Sequence, residues 1–191
     1  TLAPPAPETE VAAPAVSGRR LLRVGLLTGL FMVFVSAIGM IETFNGRKVI
    51  EPILSLGYVV LFAIPFVAGS VLSKRVAREG IATAPRSGRD VLYAAIAGAA
   101  GGLIVGLFAM LLQAVPGLRG TFPKLSPTVV NLLTLGQGTG TGTVLMIGVS
   151  TLVAAVSAAL FFLPDRWRRA VTVAGQTVII VAIFEAVIDD F

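Results

Sequence analysis

The sequence predicts an all-α fold, a polytopic bundle of about five transmembrane helices, with a tandem repeat of a two-helix hairpin as one reading of its organisation. Three observations carry that expectation. The chain is 55% hydrophobic and 13% charged with a mean hydropathy of +0.92, whereas soluble domains run at roughly 45–50% apolar and about 25% charged. Apolar runs of spanning length recur along it, and a hydrocarbon core of about 30 Å takes about 20 such residues per helix. The basic residues then fall between alternate runs, as membrane orientation requires.

Residues 1–18, "TLAPPAPETEVAAPAVSG", hold four prolines, two glutamates and no aromatic residue. Such a segment buries too little apolar surface to offset its ordering entropy, so it reads as a disordered cytoplasmic tail ahead of a transmembrane domain over 19–191. The basic "RRLLR" and the apolar run behind it resemble a secretory signal in outline. Eighteen uncharged residues from Val24 to Ile41 are nevertheless long for a signal core, and the run reads as an uncleaved first span. Further spans are expected over Ile53–Leu72, Val91–Val115, Thr143–Leu163 and Ala170–Ile188, of which only the last contains a charge, Glu185.

With the N-terminus cytoplasmic, that side collects Arg19, Arg20, Arg23, Lys74, Arg75, Arg78, Arg86, Arg89, Arg166, Arg168 and Arg169. The opposite side holds Arg47, Lys48, Arg119 and Lys124. Cytoplasmic loops carry the excess of Lys and Arg, so this division supports five alternating spans in that orientation. Because the charges are dispersed between apolar runs rather than gathered in a stripe, nucleic acid is not an expected partner.

A weak internal repeat is visible. "GLLTGLF" at Gly25 to Phe31 returns as "GLIVGLF" at Gly102 to Phe108, Thr43-Phe44 as Thr121-Phe122, "LSLG" at Leu54 as "LTLG" at Leu133, and "SGR" at Ser17 as "SGR" at Ser87. The matches keep their order, which duplication of a hairpin, with copies near 19–75 and 89–166, explains; coincidence among Leu, Gly and Val is the alternative. An even number of spans per copy leaves both copies in the same orientation.

From Leu133 to Leu163 one unbroken helix would be about 46 Å long, too long for the core without large tilt. The segment "GQGTGTG" inside it, Gly136 to Gly142, therefore reads as a break. It is not a phosphate loop: no lysine follows as GxxxxGK requires, and Thr141 and Thr143 stand where the last glycine of GxGxxG belongs. One reading is a solvated or re-entrant turn capped by a threonine at the start of the fourth span. The other is a cavity-lining interruption in a solute path formed by Gly136, Gln137, Gly138, Thr139, Gly140 and Thr141.

Gly98, Gly102 and Gly106 recur every fourth residue, as do Gly25 and Gly29, and small residues at that spacing let helix backbones approach closely. These are expected packing faces, with a homodimer seam as the alternative. Glu185 is a candidate intramembrane carboxylate, for a cation or proton, or else a hydrated residue at the outer interface beside Asp189 and Asp190. Gln113 and Gln176 are expected interhelical hydrogen-bond partners, Pro65 a kink in the second span, and Trp167 an interfacial anchor. The chain has no Cys and no His. Thiolate, imidazole, zinc and iron–sulfur chemistry therefore have no ligands here, and no catalytic, cofactor or metal residues are expected.

At "IGMIETFNGRKVIEPILSLGYVVLFAIPFVAGSVL", Ile38 to Leu72, and at "LLTLGQGTG", Leu132 to Gly140, the chain resembles the N-terminal membrane region of bacterial permeases of branched-chain amino acid ABC importers. Their "LSLGQ" element is similar to Leu133 to Gln137, "LTLGQ". The resemblance implies a subunit or leading domain of a small-solute importer in the bacterial inner membrane, surrounded by lipid and other membrane subunits. A separate cytoplasmic ATPase would power it. The basic loop Ser73 to Asp90 has two readings of its own, a segment whose charge only fixes topology or a docking site for that ATPase. The rival expectation is an accessory or scaffold subunit of a large photosynthetic or respiratory membrane complex, with no chemistry of its own.

Overall fold

The computed structural model describes residues 18–46, 48–50, 54–78, 88–115, 117–118, 126–163, 166–167, 169–171 and 173. Over these it is an all-α bundle of six α-helices, with one two-stranded hairpin that the sequence reading did not anticipate. Four helices are long and apolar enough to cross a membrane: α1 (Gly18–Ala37), α3 (Leu56–Arg78, apolar over Leu56–Ser73), α4 (Gly88–Ala114) and α6 (Thr139–Ala159, extended by a 3-10 turn to Phe162). The expected fifth span, Ala170–Ile188, lies almost entirely outside the described residues.

Each of the four begins or ends a few residues from its expected place, and two of the shifts have a visible cause. The first span was expected to run to Ile41, but α1 stops at Ala37. Gly39 there takes the left-handed conformation (φ 79°), and its N–H bonds back to the Ser36 carbonyl at 3.0 Å. A left-handed glycine just past a helix closes its last turn and turns the chain aside. The chain restarts as the short helix α2 (Met40–Asn45), then passes through the antiparallel strands β1 (Lys48–Ile50) and β2 (Leu54–Ser55) into α3. The α-helix α3 is continuous through Pro65, which is buried.

Helix α4 occupies the centre. Its two small-residue faces explain why it accepts a neighbour on each side. Ala97, Ala100, Gly101 and Ile104 meet Gly25, Thr28 and Gly29 of α1, with numbers rising together, so α1 and α4 run parallel. Gly98, Gly102 and Gly106 meet Ser150, then Met146 and Ile147, then Thr143 of α6, with numbers running in opposite senses, so that pair is antiparallel. Helix α3 closes on α6 where Gly69 abuts Ala154, and Ser157 joins them by donating to the Phe66 carbonyl and accepting from Ser70 Oγ at 2.7 Å.

The two halves of the bundle are packed differently. Toward the N-terminus of α1 most of the buried residues are small, among them Gly25, Ala94, Ala97, Gly98, Ala154, Ser157 and Ala158. At the other end Met32, Val35, Ile41, Leu61, Val105, Leu112 and Met146 form the main core, into which α5 (Pro127–Leu133) inserts Val129, Val130, Leu132 and Leu133. Five hydroxyls on the spans are satisfied within their own helices: Thr28, Ser36, Ser73, Thr143 and Thr151 each bond the carbonyl four residues back, whereas Ser70 and Ser157 bond across helices and the buried Ser150 Oγ has no partner among the described residues. A bond to the helix's own carbonyl needs no water, which suits a helix in lipid. Only 28 to 44% of each apolar span is buried within the chain. Leu26, Leu30, Phe34, Leu107, Val144 and Leu152 face outward, where lipid or further helices cover them.

At the offset of 77 read from the sequence, five of the six buried residues of α1, Gly25, Thr28, Gly29, Met32 and Val35, fall on Gly102, Val105, Gly106, Ala109 and Leu112 of α4, all buried, while the sixth, Ser36, falls on the exposed Gln113. The neighbours differ, since Gly25 and Gly29 face α4 whereas Gly102 and Gly106 face α6. What the two segments share is a buried face, presented to different partners.

Candidate functional site

The break expected in the fourth span is present, and it is shorter than the glycine-rich segment. Ser126 caps α5, its Oγ accepting from the Val129 N–H at 3.3 Å, and Pro127 follows at the first helical position, where a missing N–H costs nothing. The helix ends at Leu133. Leu135 (φ 51°), Gly136 (φ 74°) and Gly138 (φ 74°) then hold left-handed backbone, while the Gly136 N–H reaches back to the Asn131 carbonyl at 2.8 Å. α6 starts at Thr139, four residues before the expected Thr143, so Gly140 and Gly142 belong to the helix and not to the break.

The expected threonine cap is absent. Gly138 is the N-cap of α6 and has no side chain to offer. Thr139 Oγ1 instead donates to Gln113 Oε1 at 2.7 Å, tying the start of α6 to the end of α4. That is the interhelical role expected of Gln113. Gly142 is buried against Thr134, where an added Cβ would collide with the turn, so this close approach draws α6 back under α5.

The six candidate path residues therefore occupy one corner of the bundle, Gly136, Gln137 and Gly138 in the turn and Thr139, Gly140 and Thr141 in the first turn of α6. All but Thr139, which is half-buried, are exposed in this chain. They face away from the packed centre. Gly25, Gly29, Gly98, Gly102 and Gly106 all lie at intramolecular helix contacts, so these glycine faces are occupied within one chain and are not free for a second copy. Trp167 is exposed. Glu185, Gln176, Asp189 and Asp190 lie outside the described residues, as do residues 79–87 of the basic loop and residues 1–17 of the tail.

One pair escaped the sequence reading. Ser126 Oγ donates to Glu42 Oε1 at 2.6 Å, joining α2 to the head of α5 across 84 positions. Ser126-Pro127 ahead of an apolar run is a legible helix start. Nothing in the sequence pairs it with Glu42, because that contact depends on both turns.

No protein-family model, curated protein or solved structure matches the chain. The four apolar helices define its class: it is a multi-pass membrane protein.

Proposed function

We propose that the chain is the membrane subunit, or the leading membrane domain, of an importer for a small polar solute of amino-acid type, powered by a separate ATPase. The observation that supports this reading is the discontinuous helix. α5 sits at core depth, with Val129 and Leu133 fully buried, and joins the span α6 through a turn of left-handed residues. Such breaks leave backbone groups without helical partners, and in membranes they are tolerated beside protein or a water-filled path. The permease-like segments Ile38 to Leu72 and Leu132 to Gly140 contain or border both interruptions, at Gly39 and at Leu135 to Gly138.

Because Gln137, Gly140 and Thr141 face outward, a solute path along them runs between this chain and neighbouring helices. The chain's role is then to wall one side of the path. Solute uptake into proteoliposomes by the purified complex tests this with Gln137→Leu and Gly140→Leu, at two exposed positions where a larger apolar side chain has room. Loss of uptake by an inserted, assembled complex supports the reading, and full uptake by both variants removes it.

A second reading, a scaffold subunit of a larger membrane complex, is favoured by the closed glycine contacts of α4 with α1 and α6. Intact mass spectrometry of the purified complex separates the two. Co-purifying ATPase subunits point to the importer, and pigment or redox proteins to the scaffold.

A further inference from the structure

Two short helices lie at the core-rich end of the bundle, and each leaves its span through backbone that favours glycine. α2 follows α1 across Gly39 (φ 79°), and α5 precedes α6 across Leu135, Gly136 and Gly138. Neither is long enough to be stable alone, since isolated helices below roughly 12 residues are marginal. Their order comes from what holds them. Each has an apolar anchor: Ile41 of α2 is fully buried, and the backbone around Ile41 and Asn45 lies against Gly57 of α3. α5 buries Val129, Val130, Leu132 and Leu133.

The polar tie between them is Ser126 donating to Glu42 Oε1 at 2.6 Å. The same Ser126 Oγ accepts from the Val129 N–H at 3.3 Å and so caps α5. One hydroxyl thus does both tasks, using its proton for α2 and a lone pair for its own helix. An O–H to carboxylate bond of this length is of the stronger, charge-assisted kind. It links the segment after the first span to the segment before the fourth, which no backbone hydrogen bond among the described residues does.

We propose that Glu42 and Ser126 form a latch that makes α2 and α5 one cooperative lid over this end of the bundle, so that the two helices open and close together. The proposal does not depend on the importer reading. Its distinguishing consequence is that removing the Glu42 carboxylate loosens α5 as well as α2, although the two helices are far apart in sequence and the apolar residues they bury in the same core are left in place. Releasing one helix removes the bond that restrains the other, and local opening then needs only the apolar contacts to part.

Hydrogen exchange of the full chain in lipid nanodiscs tests it, read over residues 40–45 and 127–133, with α4 residues 97–109 as the reference for an intact bundle. Glu42→Ala should raise exchange in both short helices by about tenfold, and Glu42→Gln, whose amide oxygen still accepts, should restore most of the protection. Ser126→Asp separates latch from cap, because aspartate is a good N-cap yet sets a second carboxylate against Glu42. Exchange should rise in α2 in that variant. The latch is overturned if Glu42→Ala loosens α2 alone, or if Ser126→Asp leaves α2 unchanged. Faster exchange in α4 as well would equally refute it, since Glu42 would then support the whole bundle and not a lid.

Discussion

Gly102 of α4 lies so close to α6 that a Cβ there would come within 2.7 Å of the Ile147 Cα and 2.8 Å of the Met146 carbonyl. Backbone meets backbone at this point with nothing flexible between. In lipid there is no hydrophobic difference to drive helices together, so close van der Waals packing of this kind carries the association. Gly102→Ala should therefore destabilise the folded chain by about 1–3 kcal/mol, the usual cost of overpacking. Gly148→Ala on the same pair of helices, with open space around the glycine, should be neutral or slightly stabilising. Equilibrium unfolding in mixed micelles measures both, and equal effects would contradict the packing account.

Gly138 and Gly140 stand two residues apart and should respond in opposite directions. Gly138 holds φ 74°, ψ 168°, a region almost reserved for glycine, so Gly138→Ala should cost about 1–3 kcal/mol. Gly140 lies in the first turn of α6 with no atom near its missing Cβ. There alanine should stabilise by up to about 1 kcal/mol through helix propensity. The same unfolding assay reads both signs.

The Thr139–Gln113 bond joins α6 to α4 at the break. Thr139→Ala and Gln113→Ala should each lose about 0.5–1 kcal/mol, with the double variant losing little more than either, because both remove one interaction. Strict additivity in the cycle would show that the bond does not form in the membrane.

Single cysteines at Gly88 and Gln137 should label from opposite faces of the membrane. Both positions are exposed, and α4 lies between them, with the turn of residue 137 tied to its far end through Gln113 and Thr139. Gly88, expected on the cytoplasmic side from the distribution of basic residues, should react only after the membrane is made permeable to the reagent. Labelling of both from one face would contradict the span arrangement.

Much of the helix layout was legible from composition alone. A span needs about 20 apolar residues, and this demand shows itself in any window of the sequence. The four described spans consequently fall within a few residues of their expected places. The glycine spacing in α1 and α4 was legible for a similar reason, because residues four apart share one face of a helix. The interruption near Gly136 could be inferred from length, since 31 residues exceed what the bilayer accommodates as one helix. The start of α6 was misplaced because glycines at 140 and 142 read locally as turn residues. Gly142 is glycine for another reason, its contact with Thr134.

What the sequence determined by itself is therefore what depends on neighbours along the chain: a membrane protein, the four described spanning segments and the faces they offer for packing. Only the tertiary structure decided which face meets which. Gly25 and Gly102 occupy matching positions in similar segments, yet one packs on α4 and the other on α6. Glu42 reaches Ser126 only because the left-handed backbone at Gly39 redirects the chain out of α1 and α5 docks into the core at the same end. The physical reason is that helix formation in lipid is satisfied by bonds within each segment, whereas the choice among apolar faces rests on shape. Shape complementarity is a property of two surfaces, and neither surface is written in the other's sequence.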